Sequence, residues 1–169
     1  MANFKDSTSF TDNDEFYTPE WVWNYLKPLI PKTKVIWEAC MLGAKESTSM
    51  KTWKDWGYEV KGDTTWDILD CDIPECDMII TNPPFSTGIK MKVLERLMVI
   101  DKPFAIILNG LNIHSKYFQK ILNLEDIQVI HPSVKFHYQK SGAKEEKKTS
   151  FYSVFVCYKM NLPNQQLFC

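Results

Sequence analysis

No run of apolar residues in this chain approaches the length of a bilayer, and its opening Met1-Ala2-Asn3-Phe4-Lys5-Asp6 lacks the apolar core of a signal peptide. The expectation is a soluble, intracellular protein. Cys-x-x-Cys pairs are also missing. The five cysteines, at 40, 71, 76, 157 and 169, are an odd number, which predicts free thiols in a reducing compartment. Cys40 and Cys157 read as small apolar core residues. Three scattered histidines give no zinc signature, so no metal is expected. An excess of positive charge is absent as well: the net charge is −1 and the pI is near 6.3. That counts against a broad grip on duplex DNA and leaves room for a local basic patch.

What is present fits one domain. A chain of 169 residues, 44% hydrophobic and 24% charged, buries a real core but carries no second domain of ordinary size. Residues 1–14 are polar, acidic and rich in Ser and Thr, and read as a flexible arm. Residues 15–169 form the domain.

The stretch Asp77-Met78-Ile79-Ile80-Thr81-Asn82-Pro83-Pro84-Phe85 organises the rest. Met78 to Thr81 read as a buried strand, which ends on a polar residue and two prolines. Neither proline donates a backbone hydrogen bond, and each forces the residue before it out of the helical region. Asn82 and Pro83 are thus held extended with unpaired carbonyls, at the strand end where open α/β sheets bind ligands. Such acceptors suit an exocyclic amine, whose lone pair is delocalised into its ring. Accepting its two N–H groups at the Asn82 side-chain oxygen and the Pro83 carbonyl localises that pair and stabilises the charge that grows on alkylation. Phe85 offers a stacking face. The plain alternative is a proline-rich turn after a strand.

Asn82-Pro83-Pro84-Phe85 resembles the catalytic motif of S-adenosylmethionine-dependent amino-methyltransferases. The longer run Ile79 to Ser86 is similar to the adenine-N6 DNA group. Val93-Leu94-Glu95-Arg96-Leu97 with Lys102-Pro103-Phe104-Ala105 resembles the EcoRI-type adenine methyltransferase-like proteins of viruses and mobile elements. The similarity spans about residues 15 to 160. It implies a Rossmann-like class I methyltransferase fold, a mostly parallel seven-stranded sheet with a C-terminal antiparallel hairpin.

Before the motif, Glu15-Phe16-Tyr17-Thr18-Pro19-Glu20 leads into a helix over about 19–27, with Thr18 as N-cap and Pro19 at the first helical position. Tyr17-Thr18-Pro19 resembles the family's entry motif, which implies that these residues lie across the cofactor; otherwise they simply cap a first helix. Lys34 to Ala39 reads as the first core strand and Lys45 to Trp56 as a helix. Between them the resemblance places the cofactor loop, with Glu38 on the cofactor's ammonium and Ala39, Cys40 and Gly43 approaching its methionine part. The loop keeps one glycine where the family pattern has two or three. Tyr58 to Val60 is the second strand, and Asp63 beyond it is the candidate for ribose hydroxyls, or an ordinary turn residue. Asp67-Ile68-Leu69 resembles a family segment whose Asp reaches the cofactor's adenine.

After the motif, helical periodicity turns Met91, Leu94, Leu97 and Met98 to the core and Lys92, Glu95 and Arg96 to water. A strand at 104–108, a helix near 114–122 and a strand near 126–131 continue a β-α alternation that predicts a mostly parallel sheet. Val134 to Tyr138 and Phe151 to Tyr158 read as the two strands of a hairpin around a polar, lysine-rich loop from Gln139 to Ser150. The resemblance places Phe136 near the substrate base, although a lone Phe is more often core. Lys140, Lys144, Lys147 and Lys148 are the candidate phosphate contacts, or merely solvated.

The resulting expectation is a methyltransferase acting on the exocyclic amine of adenine in DNA, with Asn82, Pro83, Pro84 and Phe85 at the reacting centre. RNA or a protein glutamine as substrate, or a catalytically weak binding subunit of the same fold, stay open. No segment is large enough for a target-recognition domain. A homodimer would supply the missing surface, with Trp21, Trp23, Tyr25, Trp53 or Trp56 in the contact, although such tryptophans are more often core.

Overall fold

The computed structural model describes residues 16–44, 47–140 and 145–169. The arm at 1–14 and Lys144 lie outside the described residues, and Lys140 is described by its backbone only.

Seven strands make one sheet in the spatial order β10-β6-β9-β5-β4-β2-β3. They are β2 (Val35–Trp37), β3 (Glu59–Lys61), β4 (Met78–Thr81), β5 (Phe104–Asn109), β6 (Ile127–His131), β9 (Ser153–Tyr158) and β10 (Gln166–Phe168). β3, β2, β4 and β5 run parallel. β9 is antiparallel between β5 and β6, and β10 adds parallel to β6. A mostly parallel sheet with one antiparallel strand inserted before the last ones is the Rossmann-like class I arrangement.

Side-chain alternation divides the core into two layers. Ile79, Phe104, Ile106, Val154 and Val156 pack on one face against Leu94 and Leu97 of α3 (Thr87–Ile100) and Phe118 of α4 (Lys116–Ile121). Ile36, Ile80, Ala105, Ile107 and Phe155 pack on the other against Val22 and Trp23 of α1 (Glu20–Trp23) and Trp53 of α2 (Thr48–Asp55). Asp77 ties the two central strands at their start, accepting from Val35 N (2.8 Å) and Lys34 Nζ (3.3 Å).

A second, three-stranded antiparallel sheet joins β1 (Phe16–Tyr17), β7 (His137–Lys140) and β8 (Glu146–Lys148). The pairing differs from the expected hairpin between 134–138 and 151–158. All six residues of β9 are buried, so this strand takes a partner on each side, β5 and β6. The half-exposed β7 pairs instead with β8, inside what reads in sequence as a loop.

Three local expectations also change. Pro19, not Thr18, is the N-cap of α1, and no side chain caps it. That helix has four residues and gives way to i→i−3 hydrogen bonds at Tyr25 and Leu26, followed by a 3-10 turn at Lys27–Leu29 that contains Pro28. Arg96 does not simply face water: its Nε and Nη2 donate to the carbonyls of Ile68 (3.2 Å) and Cys71 (3.3 Å), anchoring the loop after β3. Among the aromatics offered for a dimer contact, Trp23 and Trp53 are fully buried against each other, so neither reaches a partner. No helix among the described residues is long and apolar enough to cross a membrane.

Candidate functional site

The carboxyl ends of β2 and β4 lie side by side and deliver Glu38 and Asn82 to one cleft. Thr81, the last residue of β4, links them: its hydroxyl accepts from Cys40 N (3.0 Å) and donates to Glu38 Oε1. Glu38 is buried, and its other oxygen, Oε2, has no hydrogen-bond partner among the described residues. Burial pushes this carboxyl up to about 8, and the Thr81 hydroxyl, foremost among the nearby donors, offsets part of the rise.

Asn82 is oriented from the chain's N-terminal side. β1 is stapled to β7 with Tyr17 opposite Gln139, which carries the buried Thr18 over the end of β4. The Thr18 hydroxyl is 3.1 Å from Asn82 Nδ2 and accepts from it. Asn82 Oδ1 is buried and unpartnered among the described residues. Two buried polar atoms without partners among the described residues, Glu38 Oε2 and Asn82 Oδ1, therefore belong to one site. A buried acceptor left unpaired costs about 1–3 kcal/mol, which a ligand donor recovers.

The cleft is open to solvent and bounded by Tyr17, Thr18, Glu38, Cys40, Met41, Ala44, Ser47, Thr48, Ser49 and Asn82. The three hydroxyl residues open α2, where Ser47 is the N-cap and accepts from Met50 N at 3.0 Å. A helix N-terminus favours negative charge, and Glu38 across the cleft favours positive charge once a bound cation ionises it. The site can thus hold both ends of an α-amino acid. Gly43 does not line the cleft; at φ 75° it turns the loop, and its N–H reaches the Thr64 carbonyl at 2.8 Å.

The remaining predicted residues separate. Pro83 and Pro84 are buried behind Asn82. Phe85 is half-buried and meets the edges of Tyr138 (centroids 5.3 Å apart) and Phe151 (6.1 Å). Phe136 is fully buried among Trp21, Tyr25 and Phe155, so it presents no face to a substrate; Tyr138 is the aromatic beside Phe85. Among the described residues, Pro19, Ala39, Asp63 and Asp67 do not line the cleft. Asp63 is exposed and accepts from the backbone and hydroxyl of Thr65 (2.8 and 2.7 Å), which hold its carboxyl below the usual range. Asp67 accepts from Leu69 N at 3.0 Å. Lys147 and Lys148 are exposed on β8.

Sequence reasoning missed Thr81, Met41, Ala44, the hydroxyls of Ser47, Thr48 and Ser49, and Gly62. A Cβ on Gly62 would sit 2.7 Å from the Glu38 carbonyl, at φ +151°. Its place directly after β3 was the available signal.

No family model and no curated protein matches the chain. Among solved structures it is similar to the precorrin-6y C5,15-methyltransferase of Geobacter metallireducens GS-15, with 15% identity, 91% of this chain and 100% of that chain covered, and a TM-score of 0.44. At that level the likeness carries no argument about activity.

Proposed function

We propose that the chain transfers the methyl group of S-adenosylmethionine to the exocyclic amine of adenine in DNA. The observation that carries this reading is Asn82 Oδ1, a buried acceptor without a donor, held at the end of a central strand by Thr18 and followed by two prolines and an aromatic ring. A carboxamide oxygen and a prolyl carbonyl together accept both hydrogens of an –NH₂ group. They draw its lone pair out of conjugation and stabilise the cation formed on alkylation. Phe85 supplies the face for the base.

The cofactor fits the residues present. Its ammonium matches Glu38 with its free oxygen, and its carboxylate matches the hydroxyl-lined N-terminus of α2. When bound, S-adenosylmethionine supplies an electrophilic methyl group on a sulfonium. Of this chain's residues, Glu38 and α2 hold it, Thr18 fixes the amide, and Asn82 with Pro83 orients the attacking nitrogen.

The test is tritium transfer from labelled cofactor into DNA, RNA and protein side by side, with calorimetry of cofactor binding. Counts in DNA, located at N6 of adenine, support the reading. Counts in RNA or in a protein glutamine keep the chemistry and overturn the substrate. Cofactor binding with no counts anywhere makes the chain a binding subunit.

A further inference from the structure

A second cleft lies beside the small sheet and shares no lining residue with the Glu38 cleft. Its walls carry three aromatic rings, Trp21, His137 and Tyr152, and two lysines, Lys135 and Lys148. None of its lining residues is acidic. The carboxylate nearby, Glu146, is already engaged, accepting from Trp21 Nε1 at 3.4 Å and lying 3.8 Å from His137 Nδ1. Lys135 is held in place by the Ser150 carbonyl (3.1 Å) and stands over the Tyr152 ring, 5.1 Å from its centroid. Tyr152 is 56% exposed.

The rings connect this cleft to the motif. Phe85 packs on Phe151 with centroids 6.1 Å apart, Tyr152 is the next residue, and a further groove lined by both Phe151 and Tyr152 shares Lys135 and Tyr152 with this cleft. Exposed aromatics interleaved with cations make a stacking platform for unpaired bases, since every base has a π-face and every linkage carries a phosphate. Base pairs inside a duplex offer no such face. A chain with a net charge of −1 also lacks the broad basic surface that duplex binding uses.

We propose that this cleft seats a nucleotide of single-stranded nucleic acid next to the target base, its base on Tyr152 and its phosphate between Lys135 and Lys148. This rests on the nucleic-acid reading of the site and adds that the substrate is engaged as an unpaired strand.

The experiment is fluorescence anisotropy with a short labelled single strand of mixed sequence, the matching duplex, and heparin as a polyanion without bases. The intact protein binds the single strand at least about tenfold more tightly than the duplex. Tyr152→Ala removes about tenfold of the single-strand affinity, and Tyr152→Phe keeps it. Lys135→Ala with Lys148→Ala lowers the slope of log affinity against log salt by about 0.7, the loss expected for one neutralised phosphate on a single strand. Equal binding of strand and duplex, heparin competing as well as the strand does, or Tyr152→Ala binding like wild type overturns the proposal. The parent reading is scored separately by tritium transfer. Strand binding that depends on Tyr152 without methyl transfer leaves the cleft standing and removes the enzyme, whereas transfer to DNA unaffected by Tyr152→Ala does the reverse.

Discussion

Replacing Glu38 by Gln tests the site through its protons. The carboxyl is buried beneath the cleft, with one oxygen hydrogen-bonded to Thr81 and the other unpartnered among the described residues, and burial lifts it from 4.5 to about 8. An acid raised in this way keeps its proton in the folded chain at pH values where the unfolded chain has lost it. Unfolding between about pH 4.5 and 8 therefore releases a proton, so stability falls as pH rises through that window and levels off above it. At about 1.36 kcal/mol per pH unit, the rise from 4.5 to about 8 amounts to at most about 5 kcal/mol. Glu38→Gln removes this dependence. Urea titrations of both proteins from pH 5 to 9 should show the wild type losing stability relative to the variant by several kcal/mol, most steeply below pH 8. A bound ammonium ionises Glu38, so cofactor binding at pH 7 should also release close to one proton in the wild type and none in the variant. Calorimetry in buffers of different ionisation enthalpy reads that number directly. Stability curves that run parallel across the whole range would refute the placement of a protonated, buried Glu38.

The remaining predictions concern the motif and its supports. Asn82→Ala should lower turnover at least about a hundredfold and leave cofactor affinity nearly unchanged, because the amide acts on the amine; single-turnover tritium transfer with calorimetry separates the two. Thr18→Val keeps shape but leaves Asn82 Nδ2 without its acceptor, a loss of about 1–3 kcal/mol. It should cut turnover roughly ten- to a hundredfold, with Thr18→Ser restoring most of it. Gly62→Ala drives a Cβ to 2.7 Å from the Glu38 carbonyl and should cost at least about 2 kcal/mol of stability, read in denaturant, while weakening cofactor binding.

The parts of the fold that sequence discloses are those with local causes. Met78 to Thr81 is uniformly apolar or β-branched and ends on Pro-Pro, so both the strand and its break are written in adjacent residues. The helix containing Met91, Leu94 and Leu97 shows its own period. Strand partners have no such local record. The alternation of 134–138 fits a hairpin with 151–158, yet β9 is buried along its whole length and needs neighbours on both sides, which only β5 and β6, tens of residues away in sequence, supply. Thr18 fails for the same reason. Ser or Thr before Pro-Glu is a sound capping signal, but Asn82, brought close only by the tertiary fold, claims the hydroxyl instead.

The scarcity of glycine around Gly43 has the same long-range explanation. Glycines in such a loop let a backbone come close to its ligand or to a neighbouring strand. Here Gly43 supplies one left-handed turn, and the close backbone approach falls to Gly62 at the end of β3, against the Glu38 carbonyl. At the start of α2, hydroxyls at 47, 48 and 49 line the cleft where further glycines would otherwise expose only backbone. The approach and the donors are therefore spread over two crossovers of the sheet, and a motif search confined to residues 38–44 finds only a fragment of them. Ser47→Ala and Ser49→Ala, silent in such a motif, belong among the substitutions that weaken a carboxylate at this helix end, whereas a second glycine introduced into the 39–44 loop does not strengthen it.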